Sequence, residues 1–137
     1  MRLFLDANIL VSVLNKEYPL FSYSSRILSL ADNKNFEVFT SPICLAIAFY
    51  FAEKKNKKTA RQKIRLLCKK LSVSAVTESA VQKTMNNPAI HDFEDGLEYY
   101  AAMESKCRCI ITEDADYFSF SSIELLSCKA FFEKYLV

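Results

Sequence analysis

Three features of this 137-residue sequence predict an α/β fold, a three-layer α/β/α sandwich around a central parallel sheet. Leu3-Phe4-Leu5 and Cys109-Ile110-Ile111 are apolar runs without polar alternation, as expected of strands buried on both faces of a parallel sheet. Stretches with apolar residues at helical spacing alternate with the strand-like runs. Carboxylates close the two runs, Asp6 the first and Asp114 and Asp116 the second. In open α/β sheets, ligands bind at the carboxyl ends of the strands.

The elements follow in order. After the first strand, Ala7-Asn8 opens an amphipathic stretch (Ile9, Leu10, Val13, Leu14), with Asn8 the expected N-cap. A carboxylate at Asp6 can stay hydrated and bind a cation, or serve as a cap or turn residue. Tyr18-Pro19 interrupts the helix. Helical periodicity resumes over Phe21 to Ala31 and ends in the polar turn Asp32-Asn33-Lys34-Asn35. Phe36 to Thr40 is the second strand, and Ser41-Pro42 caps the next helix. That helix, to Glu53, is apolar nearly all round and is expected to be central and buried. Lys54-Lys55-Asn56-Lys57-Lys58 reads as a basic turn, and Thr59 to Leu71 as a basic amphipathic helix. Its expected inward face is Ile64, Leu67, Cys68 and Leu71; its cations, Arg61 among them, are a solvated face or a phosphate-facing surface. Ser72 to Val76 suggests a short strand. Thr77 caps a helix from Glu78 to about Met85, closed by Asn86-Asn87-Pro88. Asp92-Phe93-Glu94-Asp95 leads into a helix through Glu104. Beyond the strand Cys109 to Ile111 come a last strand, Ile123 to Leu126, and a helix, Lys129 to Tyr135. With no repeat or linker, a single domain over residues 1–137 is expected.

Composition narrows the functions available. Half the residues are apolar and a quarter charged, as in an ordinary soluble protein. A net charge of +2 leaves a nucleic-acid partner dependent on a local basic face. The single glycine, Gly96, excludes the Gly-rich phosphate loops of dinucleotide oxidoreductases and P-loop NTPases. Cys44, Cys68, Cys107, Cys109 and Cys128 lie mostly in apolar runs and lack zinc or redox spacing, so buried free thiols are expected. No run suits a signal peptide or a membrane span, which points to the cytoplasm.

The acids supply the chemistry. Asp6, Asp114 and Asp116 end strands, and Asp92, Glu94 and Asp95 start the helix before the strand Cys109 to Ile111. Parallel strand ends and the helix starts facing them share one edge of the sheet. Converging carboxylates repel one another unless a cation neutralises them. Mg²⁺ or Mn²⁺ suits such all-oxygen donors, and such ions can drive displacement at phosphorus. The expectation is one divalent-cation site of Asp6, Asp95 and Asp114, with Asp92, Glu94 or Asp116 at its margin.

Phe4-Leu5-Asp6-Ala7-Asn8-Ile9-Leu10 resembles the opening of PIN domains, a hydrophobic strand followed by Asp-x-Asn and two apolar residues. Asp92 to Ala102 resembles that family's second acidic segment, and Ile110 to Phe118 its third. The length is similar to that of free-standing PIN proteins such as the VapC-type toxins. The resemblance implies an Mg²⁺- or Mn²⁺-dependent endoribonuclease, often dimeric and held inactive by a cognate antitoxin. It makes Asp6 the first metal ligand, Asp95 the acid near the helix start and Asp114 the acid after the strand. Asn8 then supports the site, Thr112 holds the loop or touches phosphate, and Asp116 is a fourth acid. RNA would bind along Lys54, Lys55, Lys57, Lys58 and Arg61, and His91 lies beside the second acidic segment.

The sequence departs from the family at one place. A glutamate is usual about six residues beyond a serine like Ser41, where this chain has Ala46, Ile47 and Ala48. Glu94 or Asp92 are the acids that could compensate. The departure motivates an alternative, a catalytically weakened PIN-like module that binds RNA or protein. A response-regulator-like phosphoacceptor would want an aspartate at the end of the second strand, where Phe39-Thr40-Ser41 stands.

Overall fold

Leu3, Phe4 and Leu5 are completely buried. The strand they form, β1 (Arg2–Leu5), is the middle of a five-stranded sheet. Burial of each such side chain contributes about 1.5–3 kcal/mol. The computed structural model describes residues 1–136, apart from the side chains of Asp116 and Tyr117. On one side of β1 lie β2 (Glu37–Thr40) and then β3 (Ser72–Val73). On the other lie β4 (Cys109–Ile111) and then β5 (Glu124–Leu126). All four pairings are parallel, with Phe4 level with Phe39 and with Ile110. Every strand therefore ends at the same edge, as the expected sandwich requires.

The helices flank this sheet. Between β1 and β2 run α1 (Ala7–Leu14), α2 (Phe21–Ser29) and a 3₁₀ turn, Leu30–Asp32. Between β2 and β3 run α3 (Pro42–Lys55) and α4 (Lys57–Lys70), and between β3 and β4 run α5 (Glu78–Asn86) and α6 (Phe93–Glu104). A 3₁₀ turn, Ala115–Phe118, links β4 to β5, and α7 (Cys128–Tyr135) follows. Side chains cap the helix starts at Asp6, Ser41, Asn56, Thr77, Asp92 and Ser127, each satisfying a backbone N–H of the first turn. Gly96 sits where α6 meets α5; a Cβ there would lie 2.3 Å from Thr84 Cγ2, so no other residue fits without displacement. No described helix is long and apolar enough to cross a membrane.

Several local expectations need correction. The N-cap of α1 is Asp6, while Asn8 lies inside the helix. Helix α3 is not buried all round: only Cys44, Ala48 and Ala52 are, and Tyr50 and Phe51 are 56% and 44% exposed. A stripe of small residues at four-residue spacing faces the neighbouring helices, and the bulky apolar side chains lie to either side of it. The basic segment is not a turn but two helix ends around Asn56, whose N–H donates to Ala52 O and whose side chain accepts from Lys58 N. Cys68 is exposed, because Ala60 and Leu67 define the buried side of α4. The other four thiols are buried, and all five are free. Strand β3 stops at Val73, since its partner β2 ends at Thr40 and the last ladder bond runs from Ser74 N to Thr40 O.

Candidate metal centre

The carboxyl ends of β1 and β4 are laced together. Asp6 N donates to Ile111 O at 3.0 Å, extending the ladder one residue beyond β1. Asp6 is buried; its Oδ1 accepts from Ala7 N at 2.6 Å and its Oδ2 from Thr112 Oγ1 at 2.7 Å. Asn8 Nδ2 reaches Asp114 Oδ2 at 2.9 Å, Thr112 Oγ1 at 3.3 Å and Asp6 Oδ2 at 3.4 Å. Thr112 Oγ1 also accepts from Asp114 N at 3.0 Å. Asn8 and Thr112 thus hold two acids from different loops side by side. The i, i+2 spacing Asp6-x-Asn8 works here because the cap residue and the first turn of α1 face the same neighbouring loop.

Helix α6 brings the second group. Asp92 is its N-cap, accepting from Asp95 N at 3.0 Å, which commits that carboxylate to the helix start. Glu94 and Asp95, in the first turn, line a cleft of about 390 Å³ with Asp6, Asn8 and Asp114. Ile47 and Phe51 of α3 form an apolar wall opposite. Among the described residues no lysine, arginine or histidine lines this cleft, so its charges lack a counter-ion there. Burial, then the charges of Asp92, Asp6, Glu94 and Asp114, push the Asp95 carboxyl up to about 7. Burial, then Asp92 and Asp6, raise Glu94 as well.

Sequence reasoning missed Glu98. It lies on α6 three residues beyond Asp95, hence on nearly the same helix face, and is wholly buried. Cys44 Sγ donates to its Oε1 at 3.0 Å, and ligand atoms of Asp6, Cys44 and Glu98 all lie within 4.8 Å of one another. As a carboxylate, Glu98 leaves Oε2 without a donor; its approach to Asp6 becomes a hydrogen bond only when one of the two acids carries a proton. Burial first, then the charge of Asp6 and that shared hydrogen bond, push the Glu98 carboxyl up to about 10. The i, i+3 spacing from Asp95 was the available signal.

Of the expected site residues, Asp6, Asn8, Asp95, Asp114 and Glu94 line the cleft, and Thr112 ties Asp6 to Asp114 from beside it. Asp92 is engaged as a cap, and the Asp116 side chain lies outside the described residues. His91 is exposed and does not line the cleft. Among the expected cations, Lys54 stacks over the Tyr50 ring at 5.2 Å and Lys55 Nζ donates to Asn15 O at 2.5 Å. Lys57, Lys58 and Arg61 are exposed on the first turns of α4. Crowded oxygen donors without a counter-ion, one of them a buried acid at Asp6, fit a hard divalent cation such as Mg²⁺ or Mn²⁺.

Comparison with known proteins agrees with this layout. A PIN domain family model matches residues 2–116. The chain is 25% identical over 138 residues to ribonuclease VapC1 of Aquifex aeolicus (strain VF5), covering 98% of this chain and 95% of that protein. VapBC2 from Rickettsia felis, bound to a DNA fragment from its promoter, has the same fold, with a TM-score of 0.70 and 21% identity over 93% of this chain and 98% of that one. So has Mycobacterium tuberculosis VapC20, a sarcin-ricin loop cleaving toxin, with a TM-score of 0.70 and 16% identity over 89% and 97%. The family match takes in β1 through the loop after β4, and with it the cleft acids Asp6, Asp95 and Asp114: the chain belongs to the PIN domain family.

Proposed function

We propose that this chain is a divalent-cation-dependent endoribonuclease, the toxin of a toxin–antitoxin module, acting on RNA in the cytoplasm. The observation that carries the reading is the meeting of Asp6, Glu94, Asp95 and Asp114 in one cleft without a basic partner. Asp6, Asp95 and Asp114 would hold Mg²⁺ or Mn²⁺, with Glu94 at the margin. Such an ion, when bound, polarises the phosphodiester and makes a bound water more acidic. The chain's own groups do the positioning. Asn8, bonded to both Asp6 and Asp114, keeps the two carboxylates from swinging apart. Thr112 turns its hydroxyl proton to Asp6 and its lone pairs to the loop, so the loop after β4 arrives in fixed register. Lys54, Lys55, Lys57, Lys58 and Arg61 would take the phosphates of the strand outside the cleft. The resemblance to VapC1 and to the VapBC2 assembly supports a ribonuclease that pairs with an antitoxin.

A second reading has its own observation: Ile47 and Phe51 make the α3 wall apolar where PIN domains commonly carry a glutamate. On that reading the chain binds RNA or protein without cutting. Asp6→Asn separates the two, because asparagine keeps the cap while removing the charge. For the nuclease, cleavage of single-stranded RNA falls by orders of magnitude, and the melting rise produced by Mg²⁺ or Mn²⁺ in the wild type disappears. If metal raises neither melting temperature and neither protein cuts RNA, the binding module is correct.

A further inference from the structure

We infer that Glu98, reaching the site from α6, supplies the cation-facing carboxylate that α3 lacks, with the Cys44 thiol as its positioning partner. This rests on the nuclease reading of the cleft. The missing acid belongs near Ile47, whose side chain lines the cleft from α3. One turn earlier on the same helix, Cys44 is wholly buried and donates its thiol proton to Glu98 Oε1 at 3.0 Å. That bond occupies one oxygen and leaves the other, Oε2, with no donor. A wholly buried carboxylate oxygen without a donor calls for a cation or a proton to satisfy it. The neighbour of the Glu98 carboxylate is Asp6, one of the cleft acids, with ligand atoms of Asp6, Cys44 and Glu98 within 4.8 Å of one another. Oxygens sharing one Mg²⁺ or Mn²⁺ lie at most about 4.2 Å apart, given metal–oxygen distances of about 2.1 Å, so groups gathered this closely are near the spacing one ion requires. The rest of α6 directs Glu98 inward: Gly96, two residues earlier and so on the opposite side of the helix, presses against Thr84 of α5. The carboxylate count at the site is kept, and one acid has moved from α3 to α6.

Mn²⁺ binding by titration calorimetry tests this on the full chain. Glu98→Gln should weaken Mn²⁺ by about tenfold or more while the thermal melt stays cooperative. Adding Ile47→Glu to that variant should recover much of the lost affinity, since it returns a carboxylate to the α3 wall. Cys44→Ala should weaken binding by a smaller factor, and Cys44→Ser, which keeps a donor, should restore it. Should the buried amide not be accepted, Glu98→Met carries the same expectations. Wild-type affinity in the Glu98 variants overturns the assignment of Glu98 alone, and a double variant that stays weak overturns the exchange between α3 and α6. A wild-type chain that binds no Mn²⁺ overturns the nuclease reading together with this one.

Discussion

At the ends of β1 and β4 the acids have partners. Asp6 accepts from Ala7, Thr112 and Asn8, and Asp114 accepts from Asn8. On α6, burial and mutual charge hold Asp95 at about 7 and raise Glu94, and Glu98 keeps an oxygen without a donor. The difference separates two tasks. The strand-end acids are already in position and are part of what holds β1 to β4. In the metal-free fold the ionised forms of Glu94, Asp95 and Glu98 are disfavoured, and a proton or, on the proposed reading, a cation relieves them.

The sharpest way to break this contrast is to remove one acid from each side. Asp6→Ala should lower stability by about 2 kcal/mol, through loss of the α1 cap and of the acceptor for the Thr112 hydroxyl. Asp95→Ala should leave the metal-free protein as stable as the wild type or more so. Urea unfolding of both variants measures the difference; equal losses would mean that the two edges are built alike.

Dependence on pH sharpens the comparison further. Asp95 binds its proton more tightly in the fold than in the unfolded chain, so folding takes up protons between about pH 4 and pH 7. The stability this contributes is complete below about pH 4 and is lost as pH rises through about 7. Glu98, held at about 10, adds a slope of the same sign across this window and on to about pH 10. Metal-free melting temperatures should therefore fall from pH 5 to pH 8, and less steeply in Asp95→Asn. With Mn²⁺ present the trend should weaken or reverse, because the cation binds the ionised acids. Identical slopes in wild type and Asp95→Asn would remove Asp95 from the account.

The smallest effect is expected outside the cleft. Among the described residues no cation lines the cleft, so on the proposed reading the charge of an RNA strand is met elsewhere. Lys57→Glu with Lys58→Glu should weaken RNA binding and flatten its salt dependence, by about 0.7 in log–log slope for each phosphate no longer neutralised. An unchanged slope would make these lysines merely solvated.

Much of this was legible in the residues. Leu3-Phe4-Leu5 and Cys109-Ile110-Ile111 read as buried parallel strands because nothing polar interrupts them, and they lie side by side in the sheet. Asp6, Asp95 and Asp114 stood out because each sits at a strand end or a helix start. Glu98 escaped because a carboxylate one turn into a helix usually faces water; only its spacing from Asp95 hinted otherwise. The all-round apolarity of α3 did not say which side chains would find partners, although Cys44, Ala48 and Ala52 already marked the side where another helix could approach. The shortness of β3 depends on where β2 stops, which no local pattern reports.

Asn56 joins α3 to α4 with a single residue, and that join places Lys57 and Lys58 in the first turn of α4, which carries no acid. The start of a helix is its positive end, where a cation is disfavoured by about 0.3–1 kcal/mol. Stability alone would favour acids at both positions. On the proposed nuclease reading, lysines there trade robustness for RNA binding. Charge reversal that weakens RNA binding should therefore raise the melting temperature, so that the more durable variant is also the less capable one.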